Sequence, residues 1–177
     1  MIILKTEIVI AGFGGQGVLT LGVILANAAV KEDKNTTWVP SYGPEMRGGT
    51  ANCQVIVSNE DIGSAIISEP DITILFNKPS VEKFEARVKK GGTIILNSSL
   101  IDRRPKRDDV KIIEAPFNEI AKNNPKVINM IALGMLIKLT GIITLDSAIE
   151  SLKDKFSKEK IIDANKAALQ IGQEYVK

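Results

Sequence analysis

The fold of this chain is decided by a strand-like run that leads into a glycine-rich turn, EIVIAGFGGQGV at residues 7–18. The apolar run from Glu7 to Ala11 is typical of a β-strand, and apolar residues recur at helical spacing from Val18 onward. The order of strand, glycine turn and helix places backbone N–H groups at a helix N-terminus. Glycines let that backbone approach an anion closely, and the helix end favours negative charge. The sequence therefore predicts a phosphate-bearing ligand near this turn.

The spacing of Gly12, Gly14 and Gly17 satisfies the G-x-G-x-x-G pattern of dinucleotide-binding sites. That pattern also requires an acidic residue at the end of the second strand, where it binds a ribose hydroxyl. Asp33 precedes the second predicted strand instead of following it, so a self-sufficient nicotinamide or flavin site is disfavoured. The alternative is that these glycines only permit a tight turn and close packing. Gln16 argues against that alternative, because a turn made only for packing needs no amide side chain.

A second glycine-rich segment, SYGPEMRGGT at residues 41–50, follows the second predicted strand. Its glycines make an ordered loop entropically costly unless something holds it, and Arg47 carries a planar guanidinium suited to phosphate or carboxylate. We expect both segments to meet at the carboxyl ends of neighbouring strands, where ligands bind in open α/β sheets. The alternative is a surface turn closed by a contact between Glu45 and Arg47.

Taken together, the segments GFGGQGV (residues 12–18) and SYGPEMRGGTANC (residues 41–53) resemble the gamma subunit of the 2-oxoacid:ferredoxin oxidoreductases. Within that family the chain is most similar to the small gamma subunits of the 2-oxoglutarate and branched-chain 2-oxoacid members. The resemblance extends over essentially the full length and includes a strand at 71–77, a turn and strand at 91–97 and a helix at 129–139. The paired glycine segments are specific, whereas the first one alone would not be.

This resemblance implies a non-autonomous subunit of an enzyme that oxidatively decarboxylates a 2-oxoacid, with 2-oxoglutarate preferred. The products would be an acyl-CoA, carbon dioxide and reduced ferredoxin. Thiamine diphosphate, Mg²⁺, iron–sulfur clusters and coenzyme A would act in the complex, and this chain alone would hold none of them. The implied partners are the alpha and beta subunits, a delta subunit in some arrangements, and ferredoxin reached through the complex. The chain itself is expected to support assembly and the coenzyme A side of the active site.

The candidate cofactor-binding residues lie in the two glycine-rich segments. Backbone N–H groups of residues 14–17 are expected to face a phosphate or a partner-chain carboxylate, Arg47 to act as a bidentate cation, and residues 48–50 to allow close approach. The predicted set is Gly12, Gly14, Gly15, Gln16, Gly17, Ser41, Tyr42, Arg47, Gly48, Gly49 and Thr50. None of these residues is expected to transfer protons, so no catalytic residue and no metal ligand is predicted.

The composition argues against several classes of function. The 177 residues include 23 basic and 21 acidic side chains, for a net charge of +2, which gives no electrostatic case for nucleic-acid binding. The chain has no histidine and one cysteine, so the commonest general base is absent and no disulfide or iron–sulfur cluster can be built from it alone. Cys53 lies in an alternating strand pattern, which favours a packed thiol over a nucleophile.

The sequence shows no secretory leader, and its longest apolar stretch, residues 127–137, is too short to cross a bilayer. That stretch predicts a buried helix. We therefore expect a cytoplasmic protein without a membrane partner.

Strands and helices alternate along the sequence. Strands are expected at residues 5–11, 36–41, 50–58, 71–76, 93–97 and 110–115, a helix from Val18, a second helix from Pro79 to about residue 88, and roughly four helical segments from Pro116 to Tyr175. Residues 50–58 are expected to pair with the second strand in an antiparallel or irregular way. This order predicts one domain over residues 1–177 with a Rossmann-like, three-layer α/β/α sandwich and a mostly parallel, mixed sheet.

Two other functions stay open at this point. One is a free-standing nucleotide-binding regulator, against which the missing ribose acid argues. The other is a purely structural assembly subunit whose glycine loops pack against partner chains.

The basic loop at 103–107 is a candidate docking site for an acidic partner such as ferredoxin, although a solvated connector partly neutralised by Asp108 and Asp109 is favoured. The isolated chain is expected to expose apolar interface and self-associate, with a homodimer as one form.

Overall fold

The computed structural model describes residues 5–43, 49–122 and 124–176. The strands within these ranges are β1 (Lys5–Phe13), β2 (Asn35–Tyr42), β3 (Thr50–Ser58), β4 (Ile72–Leu75), β5 (Thr93–Asn97) and β6 (Lys111–Ala115). The α-helices within them are α1 (Val18–Lys31), α2 (Lys78–Phe84), α3 (Phe117–Ala121), α4 (Ile128–Thr140), α5 (Leu145–Lys155) and α6 (Glu159–Tyr175). The strands form a six-stranded sheet in the order β2-β3-β1-β4-β5-β6.

The sheet is mixed because β3 runs against the other strands. β3 pairs antiparallel with β1 on one side and with β2 on the other, whereas β1, β4, β5 and β6 pair in parallel. The predicted α/β fold with a mostly parallel, mixed sheet is confirmed, and so is the antiparallel pairing of residues 50–58 with β2. The insertion of β3 between β1 and β2 has a consequence for the candidate site, because it separates the ends of those two strands.

The two faces of the sheet are covered by different elements. Ile8 and Ile10 of β1 belong to a large apolar cluster with α1, α4, α5 and α6, and Val9 and Ala11 belong to a smaller cluster with α2. All four side chains are at most 1% exposed, as expected for a central strand covered on both sides. Helix α1, which follows β1, therefore lies on one face of the sheet, and helix α2, which follows β4, lies on the other. The direction in which the chain crosses the sheet thus reverses at the carboxyl ends of β1 and β4, which form the topological switch point of the sheet.

Helix α4 is buried over most of its surface and packs closely on α6. Its residues from Ile128 to Ile137 are all buried, which agrees with the buried helix predicted from residues 127–137. A Cβ added to Gly134 would collide with the carbonyl oxygen of Leu169, and one added to Gly172 would collide with the carbonyl oxygen of Ile131. Glycines at both positions therefore let the two helix backbones come into direct contact.

Helix α2 ends earlier than the sequence predicts. It was expected to continue to about residue 88, but it ends at Phe84 and is followed by a 3-10 turn, Glu85–Arg87. The guanidinium of Arg107 donates hydrogen bonds to the carbonyl oxygens of Glu85 (2.9 Å) and Val88 (3.0 Å). These carbonyls are thus bound by a residue from a distant loop, and local sequence patterns carry no information about that contact.

None of the helices formed by the described residues combines the length and the apolar character that crossing a membrane requires.

Candidate functional site

The glycine turn, defined here as residues 12–17, joins β1 to α1 and contacts the end of the second glycine-rich segment. The N–H of Gly14 donates to the carbonyl oxygen of Gly49 over 2.9 Å, and Phe13 pairs with Thr50 in the β1–β3 register. The predicted meeting of the two segments is therefore observed. It occurs through the start of β3 and not between the ends of adjacent strands, because β3 lies between β1 and β2.

Gln16 closes the glycine turn with its side chain. Its Oε1 accepts the N–H of Phe13 over 2.6 Å, and its own N–H donates to the carbonyl oxygen of Phe13 over 3.2 Å. A Cβ on Gly12 would lie 2.6 Å from that Oε1 and 2.9 Å from the Cβ of Phe76, so the turn leaves no room for a side chain at this position. The amide oxygen of Gln16 thus has a structural task within the turn, which the sequence argument did not foresee.

The backbone N–H groups of the turn divide into bound and unbound ones. Those of Gly14 and Gln16 are bonded to Gly49 and Phe13, contrary to the expectation that residues 14–17 all present free donors. Among the described residues, the N–H groups of Gly15 and Gly17 have no acceptor. Both glycines have positive φ angles, 101° and 74°, a conformation that favours glycine. Within the described ranges, two of the four predicted backbone donors thus have no protein acceptor.

Asn129, near the start of α4, is bonded to the last residue of the turn. Its Nδ2 donates to the carbonyl oxygen of Gly17 over 3.1 Å, and its Oδ1 accepts the N–H of Met130 over 3.0 Å. A Cβ on Gly17 would collide with the Asn129 side chain. This contact places the beginning of α4 directly against the beginning of α1.

A cavity of about 470 Å³ opens beside this contact. We call it the turn–α4–α6 cavity, since its lining comes from the glycine turn and α1, from the start of α4 and from the first half of α6. The lining residues are Gly15, Gly17, Thr20, Asn124, Lys126, Val127, Asn129, Phe156, Lys160, Ile161, Ala164 and Asn165. Its volume lies in the range of about 300–1,000 Å³ that is usual for small-molecule sites.

Most of this lining was not predicted from the sequence. Gly15 and Gly17 belong to the predicted set, but Lys126, Phe156 and Lys160 lie in the helical tail, to which no ligand role was given. No local motif marks them, because they reach the glycine turn only through the packing of α4 and α6 on the sheet. The signal available in advance was the glycine turn itself, which identifies the edge of the sheet to search.

The residues predicted from the second segment are placed differently. Ser41 and Tyr42 lie at the end of β2, opposite Asn52 and Ala51 of β3, and the Tyr42 side chain is 58% exposed. They are separated from the glycine turn by the width of β3 and do not line the turn–α4–α6 cavity. Gly49 and Thr50 contact the turn as described above. Arg47 and Gly48, like Glu45, lie outside the described residues.

The basic loop at 103–107 is engaged in local ion pairs. Arg103 donates to both carboxylate oxygens of Glu85, at 3.3 and 2.8 Å. Arg107 pairs with Asp109, with Nη2 and Oδ2 separated by 2.8 Å. These contacts fasten the loop to the end of α2, which supports the interpretation of this loop as a connector.

Cys53 is fully buried in β3, and burial raises the pKa of its thiol to about 12. A thiol in this state is protonated at neutral pH and is a poor nucleophile and metal ligand. Within the described part of the chain, no three His, Cys, Asp or Glu residues are grouped as a metal site. The residues present therefore do not fit an iron–sulfur cluster, which needs several cysteine ligands.

A protein-family model for pyruvate ferredoxin/flavodoxin oxidoreductase matches residues 7–175 of the chain. Among curated relatives, the ketoisovalerate oxidoreductase subunit VorA of Methanothermobacter marburgensis is 39% identical over 98% of this chain, which spans only 37% of that relative's length. The 2-oxoglutarate synthase subunit KorC of Methanocaldococcus jannaschii is 33% identical, and the match covers 97% of this chain and 96% of KorC.

Two solved structures share the fold over nearly the whole chain. A keto/oxoacid ferredoxin oxidoreductase gamma subunit from Geobacter sulfurreducens has a TM-score of 0.85 at 29% identity, with 97% of this chain and 96% of that chain covered. The 2-oxoglutarate:ferredoxin oxidoreductase of Magnetococcus marinus, solved with 2-oxoglutarate, coenzyme A and succinyl-CoA bound, has a TM-score of 0.89 at 25% identity. The match covers 99% of this chain and 32% of the Magnetococcus chain.

Proposed function

Because the chain belongs to the pyruvate ferredoxin/flavodoxin oxidoreductase family, we propose that it is the gamma subunit of a multi-subunit 2-oxoacid:ferredoxin oxidoreductase. The resemblance found in the two glycine-rich segments is confirmed by the family match and by the relatives named VorA and KorC. The structural observation that carries the proposal is the hydrogen bond between Gly14 and Gly49. It joins the two segments on which the resemblance rests into one unit beside a ligand-sized cavity.

The reaction proposed for the complex couples a decarboxylation to electron transfer. The 2-oxoacid loses its carboxylate as carbon dioxide and gives up two electrons, which ferredoxin accepts. The acyl carbon forms a thioester with the sulfur of coenzyme A, and the thiol proton is released. Thiamine diphosphate with Mg²⁺ would supply the decarboxylation chemistry and iron–sulfur clusters the electron path. The proposal assigns those groups to the alpha and beta subunits, with a delta subunit as a further candidate.

The part proposed for this chain is to support assembly and to cover the coenzyme A side of the active site. The N–H groups of Gly15 and Gly17, which have no acceptor among the residues that the structure describes, favour an anionic group at the turn. The Magnetococcus enzyme was solved with coenzyme A and succinyl-CoA bound, which supports a coenzyme A site in a complex of this kind. No residue of this chain is assigned a proton-transfer role.

The 2-oxoacid itself is a finer question on which the relatives divide. The sequence argument prefers 2-oxoglutarate, and KorC is a 2-oxoglutarate synthase subunit at 33% identity. VorA, a ketoisovalerate oxidoreductase subunit, is more similar at 39% identity. We keep 2-oxoglutarate, which the sequence argument prefers, as the proposed substrate. Ketoisovalerate (3-methyl-2-oxobutanoate) is the second candidate, which the higher identity to VorA favours.

The experiment that tests the proposal is anaerobic co-purification of the chain, tagged at Lys177, from its native source. The eluate is assayed for viologen reduction that depends on both a 2-oxoacid and coenzyme A, with 2-oxoglutarate, 3-methyl-2-oxobutanoate and pyruvate compared. Untagged cells carried through the same purification provide the control. We expect larger, cysteine-rich partners to elute together with the activity. A chain that elutes alone with a bound nucleotide would overturn the proposal in favour of a free-standing regulator.

A variant of the second glycine-rich segment separates a ligand role from a purely structural one. If Arg47 contacts coenzyme A, Arg47→Ala raises the KM for coenzyme A while the complex stays intact. If it only packs against a partner chain, the yield of complex falls and the KM of the residual complex is unchanged. Arg104→Ala is the matched control, because Arg104 is 70% exposed in its side chain and lies in the 103–107 loop.

A further inference from the structure

Within the described residues, helix α6 is covered by the rest of the chain on one side. Its buried residues are Asn165, Ala168, Leu169 and Gly172, and Gly172 touches the backbone of α4. Most other residues of α6 are exposed or half-buried. The helix therefore offers a surface along its whole length to a contact from outside the chain.

Three large apolar side chains lie in one row on this surface. Ile161, Ile171 and Tyr175 are 40%, 41% and 42% exposed. At 100° per residue, all three fall within an arc of about 80° and extend over about four turns, with the half-buried Ala164 in the same arc. We call these four residues the α6 face. Single exposed apolar residues are ordinary, but a continuous apolar row is typical of an interaction surface.

The charges along one edge of the α6 face are ordered. Lys160 lies at its beginning and Glu174 at its end, and both are exposed. Neither forms an ion pair with any residue that the structure describes. Ala167, which is also exposed, lies on the same edge, seven residues from each of them. The edge thus carries a positive charge, a small residue in the middle and a negative charge.

This order of charges is complementary to itself. If two α6 helices pack antiparallel about a two-fold axis at Ala167, Lys160 of each copy lies opposite Glu174 of the other. The same arrangement brings Ile161 of one copy close to Ile171 of the other. The small side chains of Ala164 and Ala167 let the two helices approach closely in the middle. Self-complementarity of this kind is what a two-fold interface between identical chains requires.

We propose that the chain forms a homodimer through the α6 face, with the two α6 helices antiparallel and Lys160 paired with Glu174 of the second copy. The occupant of the face is thus a second copy of this chain. This inference goes beyond the proposed function, and its test does not depend on it. A helix of 17 residues is about 25 Å long, so the interface is smaller than the usual ~1,600 Å². We therefore expect a dimer that dissociates in the micromolar range.

The first measurement is sedimentation equilibrium of the full chain over a range of concentrations. Ile171→Glu is expected to weaken the dimer about a hundredfold, because the two-fold axis places the new charge twice in the apolar interface. Glu174→Lys is expected to weaken it about tenfold, because it sets two lysines opposite each other in both halves. Neither residue lines the turn–α4–α6 cavity, so these effects do not arise there.

Exchange of the two charges tests the antiparallel arrangement itself. Lys160→Glu alone is expected to weaken the dimer as Glu174→Lys does, and the double variant is expected to recover the affinity of the unmodified chain. Lys166→Glu is the matched control, because it makes the same change of charge about 120° around the helix from Lys160. Thermal unfolding checks that every variant is folded.

Chemical cross-linking locates the two-fold axis. Ala167→Cys is expected to give cross-linked dimers with a short bismaleimide, because the axis places residue 167 of one copy beside residue 167 of the other. Cys53 does not interfere, since it is fully buried. Lys153→Cys, at an exposed position of α5, is the control and is expected to give none.

Three results would overturn the inference. A full chain that stays monomeric throughout the concentration range would show that the α6 face binds something other than a second copy, such as a partner subunit. A dimer that is unaffected by Ile171→Glu would lie on another surface. A double charge variant that is no tighter than its single variants would show that Lys160 and Glu174 do not meet.

Discussion

Asn129 and Gly17 are joined by a hydrogen bond of 3.1 Å from side-chain amide to backbone carbonyl, although 112 positions separate them in the chain. The other polar atom of Asn129 accepts the N–H of Met130, so both ends of this side chain are satisfied although the residue is only 4% exposed. A single buried amide therefore fixes the glycine turn against α4. The turn–α4–α6 cavity depends on this contact, because α1 and α4 supply two of its walls.

Replacing Asn129 should loosen the turn. We expect Asn129→Ala to lower the free energy of unfolding by about 1 kcal/mol, because the half-buried carbonyl of Gly17 loses one of its two donors and keeps only its helical one. Amide hydrogen exchange at residues 14–17 should also become faster. Asn165→Ala is the control, since the Asn165 amide bonds to Ile161 within the same helix. Urea denaturation and exchange measurements check both variants, and equal exchange at the turn in the two would show that Asn129 does not hold it.

Substitution of Gly134 should be far more damaging than its helical position suggests. Alanine favours a helix interior over glycine by about 1 kcal/mol, so propensity alone predicts that Gly134→Ala stabilises α4. The new Cβ would instead collide with the carbonyl oxygen of Leu169 and lie 3.1 Å from the Cα of Gly172. We expect a loss of about 2 kcal/mol or more, as in other overpacked cores.

Thermal unfolding shows directly whether Gly134→Ala stabilises or destabilises the chain. Gly63→Ala provides the control, because a Cβ at Gly63 has no neighbour within 4 Å. A Gly134→Ala variant that is as stable as the unmodified chain would show that α4 and α6 can move apart without cost. The closeness of the two helix backbones would then be no constraint on the cavity.

The parts of the fold that the sequence predicts well are those whose signals are local. The β1 run from Glu7 to Ala11 and the apolar spacing after Val18 each lie within a short window, and both elements form as predicted. Residues 50–58 form β3 with the expected antiparallel pairing. The predicted end of α2 is wrong, because Arg107 donates to the carbonyls of Glu85 and Val88 from a loop about twenty residues further on.

Only the side of the turn–α4–α6 cavity that the glycine turn forms was predictable from the sequence. The glycine turn identifies its edge of the sheet, because ligands of open α/β sheets bind at the carboxyl ends of the strands. Lys126 and Lys160 lie more than a hundred residues later, and only the packing of α4 and α6 brings them to the turn. Ser41 and Tyr42 lie away from the turn because β3 is inserted between β1 and β2. The order of the strands along the chain does not predict this insertion.

Cys53 should resist thiol reagents in the folded chain. Burial raises the pKa of its thiol to about 12, so the reactive thiolate is scarce at pH 8. We expect no reaction of folded protein with an aromatic disulfide reagent over minutes, and full reaction of one thiol per chain in denaturant. Rapid labelling of the folded chain would contradict the buried position of Cys53 in β3. It would also favour a nucleophilic role for Cys53, which the sequence pattern argues against.

Glu32 connects the end of α1 to the start of α5. Its carboxylate accepts hydrogen bonds from the Nζ of Lys34 (2.8 Å), the Oγ of Ser147 (2.6 Å) and the backbone N–H of Thr144 (2.5 Å). Burial by itself would raise the pKa of Glu32, but these hydrogen bonds outweigh it and lower the pKa from 4.5 to about 2. A group with a depressed pKa in the folded state stabilises the fold above its unfolded pKa.

The stability that Glu32 provides should therefore disappear in acid. It should be fully present above about pH 4.5 and be lost as the pH falls towards 2, when the carboxyl takes up a proton. We expect Glu32→Gln to lower the free energy of unfolding at pH 7 by about 1–3 kcal/mol, with the difference shrinking between pH 4.5 and 2. Urea denaturation at several pH values tests this, with the exposed Glu60 as a Glu60→Gln control. A difference that stays constant down to pH 2 would mean that the Glu32 carboxylate gains nothing from Lys34, Ser147 and Thr144.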